Sequence, residues 1–490
     1  MKKKSIKVNA LLNIIQTLMS ILFPIITFPY ASRVLGVEAV GKYNFSSSIV
    51  SYFVLLASLG IGTYAVREGA RVRDKQREIS SFIRDVFSIN IYSTLFAYIL
   101  MIIIVYNIDL LHPYWKLIAI LALQIVFSTL GRNWIYTIYE DYFFITIRSI
   151  LFQLVNMVLL FIMVHGPADV ERYAFVSVFG LIGNNIANMI CSRKYCTFSF
   201  TLRPAKKHIL PILLIFSTTV SIVIYGSSDT TMLGIFGTDY NVGIYSVSVK
   251  IYSIIKQLVA AVLTVSIPRF SYYLGNGKKE EYNQLFDKVI NLLLFILLPI
   301  SIGLCMVSKQ CIYLISGLDY LDAASPLSIL SIAMIFNLLA YMLGYCVLIP
   351  NRKEKQFFIA TLVSAIVNIG LNYIFIPQYM QNAAATTTLI AEAVAAIMCF
   401  GYSYQYIRSI KLGKNVFCSF VGTILIVIIC LFINNEIEDY LLSLALCVIV
   451  SIFAYLLLQV ILKNPLFHNI ISIVKEKIRM YAKMICGSYK

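Results

Sequence analysis

The residues of this chain that could do chemistry are polar side chains within strongly apolar stretches. One set is Asp229, Asn368, Asn372, Thr388 and Glu392. Within this set Asn368 and Asn372 are four residues apart, as are Thr388 and Glu392, so each pair shares one face of a helix. Carboxylate, amide and hydroxyl oxygens suit a small cation, and a carboxylate alone could carry a proton. We predict a coupling site for Na⁺ or H⁺; the alternative is a set of hydrogen bonds that only joins helices.

A second set is basic and consists of Arg33, Arg132, Lys250 and Lys256. A cation within a membrane should face a cavity or a partner. A cavity lined by Lys and Arg favours an anion such as a diphosphate, so we predict substrate contacts for these four residues. Arg132 could instead extend to the cytoplasmic face, and Lys250 could pair with Asp229. Lys256 lies nearest the middle of its apolar stretch and is the hardest to explain in these ways.

Motifs for enzyme chemistry are missing from the sequence. It contains no GxxxxGK[ST], HExxH or GxSxG pattern, and its ten cysteines form no CxxC pair. We therefore predict no catalytic residue, no cofactor other than an ion gradient, and no metal beyond Na⁺. A polytopic glycosyltransferase stays an alternative, although such enzymes usually carry acidic residues in a large loop outside the membrane.

Long apolar stretches must position these residues. The chain has 490 residues, of which 60% are hydrophobic and 13% charged. Fourteen apolar runs are long enough to cross a hydrocarbon core of about 30 Å, which predicts an all-α polytopic membrane protein with about fourteen transmembrane helices.

The charges favour a membrane rather than a nucleic acid as the partner of this chain, whose net charge is +17. Alternate connections, with the two ends of the chain, hold 32 Lys and Arg, whereas the opposite connections hold five. Positive residues concentrate on the cytoplasmic side, so both termini are predicted to be cytoplasmic. The weak point is a turn on that side that carries Glu140 and Asp141.

Two halves of the chain resemble each other. VLGVEAVGKYNFSSSIVSY (34–52) is similar to MLGIFGTDYNVGIYSVSVKIYSI (232–254), and VNMVLLFIMV (155–164) to VNIGLNYIFI (367–376). Two parallel six-helix repeats with a substrate site between them would explain this pattern. The predicted organisation has two six-helix lobes, at residues 1–195 and 209–408, joined by a cytoplasmic linker at 196–208. Two further transmembrane helices follow at 409–462. The last segment, 463–490, is predicted to be an amphipathic tail on the inner leaflet. A solvated tail without lipid contact is the alternative for the last segment.

The run NIIQTLMSILFPIITFPYASRVLGVEAVGKYNFSSSIVSYFVLLASLGIGTYAVRE resembles the start of the Wzx-type polysaccharide repeat-unit flippases of the multidrug/oligosaccharidyl-lipid/polysaccharide exporter superfamily. This resemblance implies export of undecaprenyl-diphosphate-linked oligosaccharides across the bacterial plasma membrane, for O-antigen, capsule or exopolysaccharide. It also implies a polysaccharide polymerase and a chain-length regulator as partners.

The related lipid II flippases have fourteen helices, and the last two form a lipid groove, so the two C-terminal helices here could shelter a polyprenyl tail. Some of these relatives carry a sodium site that is matched here by Asp229, Asn368 and Thr388. The sequence departs from that site at Asn372, where the relatives have a carboxylate. Alternatives are a multidrug cation exporter of the same superfamily and a flippase for another lipid-linked cell-wall precursor.

Overall fold

The computed structural model describes residues 6–195, 199–407 and 413–468, with the single positions 472 and 475. Regular structure in this part of the chain is helical, without a strand. Most of the predicted amphipathic tail, residues 469–490, lies outside the described residues.

The chain divides into two compact units. The first unit is Met1–Ser246 with Ile369–Gln381, and the second is Val247–Asn368 with Asn382–Lys490. Helices α1 to α8 belong to the first unit, at Ile6–Ser58, Ile61–Val72, Gln76–Asn107, Trp115–Gly131, Trp134–Ile138, Tyr142–Met163, Val170–Cys191 and Ile209–Phe236. Helices α9 to α15 follow, at Asp239–Gly275, Lys279–Met306, Ser308–Ser316, Ala324–Met342, Glu354–Ile407, Gly413–Glu436 and Tyr440–Ile461. The division falls within α9 and within α13, which therefore contribute to both units.

The helices are long and apolar enough to cross a membrane many times. Eleven such stretches are present in the described residues. Two of these stretches contain a break in the helix, at Gly36 of α1 (φ 75°) and at Met380 of α13 (φ 46°). If each is counted as two spans and the mostly apolar α8 is added, the result is compatible with the fourteen predicted spans. The prediction of an all-α, multi-pass membrane protein is confirmed.

Large apolar side chains cover the outside of these helices. On α3, Leu95, Ile99 and Ile102 are 54%, 59% and 62% exposed, and they follow one another at helical spacing. On α14, Phe420 and Ile428 are each 58% exposed. Contiguous apolar surface of this kind is rare in proteins dissolved in water but fits contact with lipid tails.

The acidic turn that weakened the topology prediction is neutralised locally. Arg73 Nη1 lies 2.8 Å from Glu140 Oε1. Lys194 Nζ donates to Asp141 Oδ2 at 2.8 Å, and Tyr195 Oη donates to the same oxygen at 2.6 Å. Burial, with the adjacent carboxylate, raises the pKa of Tyr195, so the phenol stays a donor. The two acids therefore add no net negative charge to this turn.

Parts of the similar stretches 34–52 and 232–254 are in contact within the first unit. A Cβ atom on Gly41 would overlap the carbonyl oxygen of Asp239, and a Cβ atom on Gly243 would overlap that of Val37. Each stretch thus presses the glycine of its Gly-x-Tyr motif against the backbone of the other. Tyr114 Oη donates to Asp239 Oδ1 at 2.8 Å beside this contact. The contact is reciprocal between the two motifs, and the repeat and its boundaries stay predictions.

Candidate functional site

Asp229 lies on α8 of the first unit, with only 8% of its surface exposed. Tyr245 Oη donates to its Oδ2 at 2.6 Å, and Asn372 Nδ2 donates to its Oδ1 at 2.6 Å. A buried carboxylate without such donors would be strongly destabilising. Both of these donors are neutral groups that stabilise the carboxylate by hydrogen bonds. The structure therefore brings Asp229 and Asn372 together and adds Tyr245, which the sequence analysis missed.

Two further polar side chains of α8, Ser227 and Thr231, form hydrogen bonds with α1. Ser227 Oγ lies 3.0 Å from Ser51 Oγ. Thr231 Oγ1 lies 2.9 Å from Tyr52 Oη and donates to Ser48 Oγ at 3.0 Å. These contacts join α8 to the second half of α1, whose serine-rich sequence produces them. Ser227 and Thr231 share one face of α8, whereas Asp229, two residues from each, lies on another face, so these hydroxyls hold α8 against α1 and do not adjoin the carboxylate.

The other three predicted cation ligands belong to the second unit. Asn368, Thr388 and Glu392 are all buried there. Asn337 Nδ2 donates to Glu392 Oε1 at 2.7 Å. Asn337 was missed, and its only signal in the sequence is a lone amide in the apolar run SIAMIFNLLAYM. The five predicted ligands are thus divided between the units, and their action as one site stays a prediction.

The predicted substrate cations are also divided. Lys250 and Lys256 lie on the part of α9 that belongs to the second unit, and both are half-buried. Lys256 Nζ lies 4.7 Å from the centroid of the Tyr252 ring, a cation–π contact. Arg33 lies in the first unit, is exposed, and comes three residues before the break at Gly36.

Arg132 is packed inside the first unit, where it is 1% exposed. Its Nη2 donates to Ser192 Oγ at 2.9 Å, and its guanidinium lies 4.8 Å from the centroid of the Phe87 ring. A second buried cation, Arg148, was missed because it was counted with the cytoplasmic residues. Its Nη2 donates weakly to Asn133 Oδ1 at 3.3 Å. A substrate contact for Arg132 stays a prediction that we do not carry further, because these partners already hold the side chain.

An apolar groove lies on the second unit, among α10, α14 and α15. Its volume is about 470 Å³, and its lining is almost entirely hydrocarbon. Phe295 and Tyr455 meet at a ring-centroid distance of 5.3 Å in its wall, and Tyr455 Oη donates to the Phe295 carbonyl oxygen at 2.9 Å. The tyrosine hydroxyl is thereby satisfied away from the groove, so the groove can accept an apolar chain.

Sequence comparisons match this chain to a known family over more than half its length. Residues 6–274 match the family described as polysaccharide biosynthesis protein, and residues 215–374 match the MatE family. A protein of Escherichia coli strain K12 named as an O-antigen transporter is 23% identical over 399 residues, which cover 80% of this chain and 94% of that protein. The capsular polysaccharide biosynthesis protein CapF of Staphylococcus aureus is 25% identical over 398 residues, 76% of this chain and 91% of that one.

Solved structures show the same fold. The lipid II flippase MurJ in an inward closed conformation matches with a TM-score of 0.77 and 16% identity, covering 93% of this chain and 99% of that one. An inward-facing multidrug resistance MATE family transporter of the MOP superfamily matches with a TM-score of 0.60 and 16% identity, covering 80% of this chain and 95% of that one. At this identity the likeness concerns the fold alone. Because the family model matches more than half of its residues, the chain belongs to the polysaccharide biosynthesis protein family.

Proposed function

We propose that this protein is a flippase that moves undecaprenyl-diphosphate-linked oligosaccharide repeat units from the inner to the outer leaflet of a bacterial plasma membrane. The observation that carries the proposal is the likeness to relatives named for O-antigen transport and capsular polysaccharide synthesis. It extends over three quarters or more of this chain and nine tenths of theirs. An alignment of that length covers a whole transport unit rather than one shared segment.

The apolar groove of the second unit supports a lipid-linked substrate. A polyprenyl chain is hydrocarbon, and within a bilayer it would bind an apolar groove by van der Waals packing. The groove among α10, α14 and α15 offers such a chain a surface that requires no polar group to be desolvated. In this function the two C-terminal transmembrane helices, α14 and α15, would help to bind the polyprenyl chain.

The half-buried lysines of α9 support an anionic headgroup. Among the described residues, no carboxylate oxygen lies within 4.0 Å of Lys256 Nζ. A substrate diphosphate would pair directly with the Lys256 ammonium, which otherwise interacts with the Glu392 carboxylate only at longer range. Tyr252 holds the Lys256 ammonium by its ring without neutralising it.

Coupling to a Na⁺ or H⁺ gradient is the further part of this proposal, with Asp229 as the cation-binding group. A carboxylate set among hydroxyl and amide groups can take up a proton or ligate a small cation. Such a ligand drives alternating access only if its affinity differs between the inward- and outward-open states. We also propose that both termini are cytoplasmic. The product would pass to a polysaccharide polymerase and a chain-length regulator on the outer side of the membrane.

Lipid extraction from cells with and without this protein tests the function. We expect cells that lack the protein to accumulate complete, unpolymerised repeat units on the cytoplasmic leaflet. Wild-type protein should restore export, Lys256→Gln should not, and Lys256→Arg should restore it in part because the charge remains. Truncated units would indicate a glycosyltransferase instead. Normal export without the protein, together with ethidium efflux in its presence, would indicate the multidrug exporter that the MatE match of residues 215–374 keeps as a rival.

A further inference from the structure

The linker before α8, residues 199–208, lies along the side of α3 in the first unit. The Thr201 backbone N–H donates to Ser88 Oγ at 2.9 Å. Tyr92 Oη donates to the Leu202 carbonyl oxygen at 3.1 Å. Ser88 and Tyr92 are four residues apart and share one face of α3, so this face holds the first part of the linker.

The other end of the linker is also attached. His208 is buried, and its Nδ1 lies 2.7 Å from Tyr64 Oη of α2. The His208 ring meets the Phe82 ring of α3 at a centroid distance of 5.5 Å. Residues 203–207 therefore form a short arch between two attached ends, and Pro204 restricts the backbone of this arch.

The attachment lies at the depth of a membrane surface. Asp85 is the last charged residue of α3, and residues 86–107 would span about 33 Å as a helix, close to a hydrocarbon core of about 30 Å. Ser88 and Tyr92 lie within the first two turns of this stretch. An irregular backbone at this depth needs hydrogen-bond partners, and these two side chains supply them. Tyrosine is also typical of the boundary between membrane and water.

Apolar side chains of the linker continue the outer apolar surface of α3. Leu202 is 79% exposed and Phe200 is 46% exposed. The Phe200 ring contacts the Tyr92 ring at a centroid distance of 5.7 Å. The exposed side chains of Leu95 and Ile99 follow Tyr92 at helical spacing. Such large exposed apolar groups fit contact with acyl chains better than contact with water.

The arch carries two exposed cations, Arg203 and Lys206. In the part of the chain that the structure describes, neither has a carboxylate oxygen within 4.0 Å. The third basic residue of the arch, Lys207, lines a cavity whose lining includes three carboxylates. A lipid phosphate has the charge that complements Arg203 and Lys206. An anionic headgroup fits better than a zwitterionic one, because the latter carries a cation of its own.

We propose that the linker is a membrane-surface strap that binds an anionic phospholipid of the inner leaflet. Arg203 and Lys206 would contact the headgroup phosphate, and Phe200 and Leu202 would contact the acyl chains. This inference goes beyond the proposed function and takes from it only the cytoplasmic side of the linker. Because α8 begins at Ile209, directly after the arch, the bound lipid would hold the start of this helix at the membrane surface.

Fluorescence quenching by brominated lipids tests the strap in the full-length protein. Leu202→Trp places an indole among the proposed acyl chains, and Trp115→Phe removes the exposed native tryptophan. Trp134, the other native tryptophan, is 7% exposed and gives the background, which is measured with Leu202 intact. The nanodiscs contain equal parts of phosphatidylglycerol and phosphatidylcholine, and one lipid is brominated at a time. We expect brominated phosphatidylglycerol to quench the added indole more strongly than brominated phosphatidylcholine does, by at least about twofold.

Charge variants separate headgroup recognition from acyl-chain contact. Arg203→Gln combined with Lys206→Gln should abolish the preference for phosphatidylglycerol, while both lipids still quench because the apolar contacts remain. Lys278→Gln combined with Lys279→Gln is the matched control. It removes two exposed cations at the start of α10, where two acidic residues follow in the sequence, and it should keep the preference.

Three results would overturn the inference. Absence of quenching of the added indole by either lipid would show that the linker does not contact the bilayer. Equal quenching by the two lipids in protein with an intact arch would show that no anionic headgroup is selected. A preference that survives Arg203→Gln with Lys206→Gln would assign it to another part of the protein. None of these measurements involves transport, so the proposed flippase function is tested separately.

Discussion

At the residue scale, the spacing of polar groups in apolar runs identified part of the candidate site. Asp229 and Asn372 were predicted to act together, and one accepts a hydrogen bond from the other at 2.6 Å. Such groups stand out because an unpaired polar group within a membrane is costly. Tyr245 gave no comparable signal, because a tyrosine in a membrane helix is ordinary and its partner is sixteen residues away on another helix.

Asp229→Asn should separate stability from coupling. The protein should remain folded, because the Tyr245 hydroxyl can rotate to accept from the new amide while Asn372 still donates to the remaining oxygen. The negative charge that would hold Na⁺ or H⁺ is lost. In proteoliposomes, we expect an imposed gradient of the coupling ion to accelerate flipping by the wild type but not by Asp229→Asn.

Ser227→Ala is the control for this change, since it removes a polar group from α8 two residues away, on another face, without changing the charge. It should respond to the gradient as the wild type does. An Asp229→Asn protein that responds fully would show that the coupling ion binds elsewhere.

The two acids of the turn between α5 and α6, Glu140 and Asp141, offer a matched pair of stability measurements. Asp141→Asn should lower the free energy of unfolding by about 1–3 kcal/mol, because Lys194 and Tyr195 both donate to the buried carboxylate. Glu140→Gln should cost less than about 1 kcal/mol, since the side chains of Arg73 and Glu140 are 37% and 43% exposed. Thermal unfolding in nanodiscs measures both. An equal or larger effect of Glu140→Gln would contradict the assignment of Asp141 as the structural acid.

At the scale of elements, hydrophobic run length predicted the helices well, but it could not predict where one helix bends into the next. Gly36 and Met380 interrupt α1 and α13, and the chain continues as helix on both sides. At Gly36 the positive φ is of the kind that glycine adopts without strain, so that bend has a local cause. Met380 has no such signal, and its conformation depends on the packing around it.

The repeated Gly-x-Tyr motifs make a prediction at this scale. Gly41→Ala and Gly243→Ala should each destabilise the protein by about 1–3 kcal/mol, because the added methyl group overlaps a backbone carbonyl that cannot turn away like a side chain. Gly62→Ala adds the same methyl group in open space and should be neutral. Thermal unfolding compares the three variants. If Gly41→Ala and Gly243→Ala unfold at the temperature of Gly62→Ala, the close contact of the two motifs does not exist.

At the scale of the whole molecule, composition and charge asymmetry were enough to predict an all-α, multi-pass membrane protein. These properties average over many residues, so local errors do not change the conclusion. The division into units was less accessible, because Ile369–Gln381 joins the first unit although it lies far along the chain. Sequence proximity therefore grouped Asn368 with Asn372, whereas the structure assigns them to different units.

The proposed function also belongs to this scale, because its substrate combines a lipid, a diphosphate and sugars. The apolar groove and the lysines of α9 lie in the second unit, and Asp229 with its two donors lies in the first. None of these features alone defines a flippase. Their presence in one chain of the polysaccharide biosynthesis protein family supports the central claim that this protein transports a lipid-linked oligosaccharide across the bilayer.

The most direct test is to reconstitute the purified protein in proteoliposomes that contain undecaprenyl-diphosphate oligosaccharide and to follow the accessibility of the sugar to an enzyme that cannot cross the membrane. We expect the protected fraction to move to the accessible leaflet rapidly with wild-type protein and at least tenfold more slowly with Lys256→Gln. If the protected fraction stays constant in the presence of folded wild-type protein, with or without an ion gradient, the claim that this chain is a flippase is wrong.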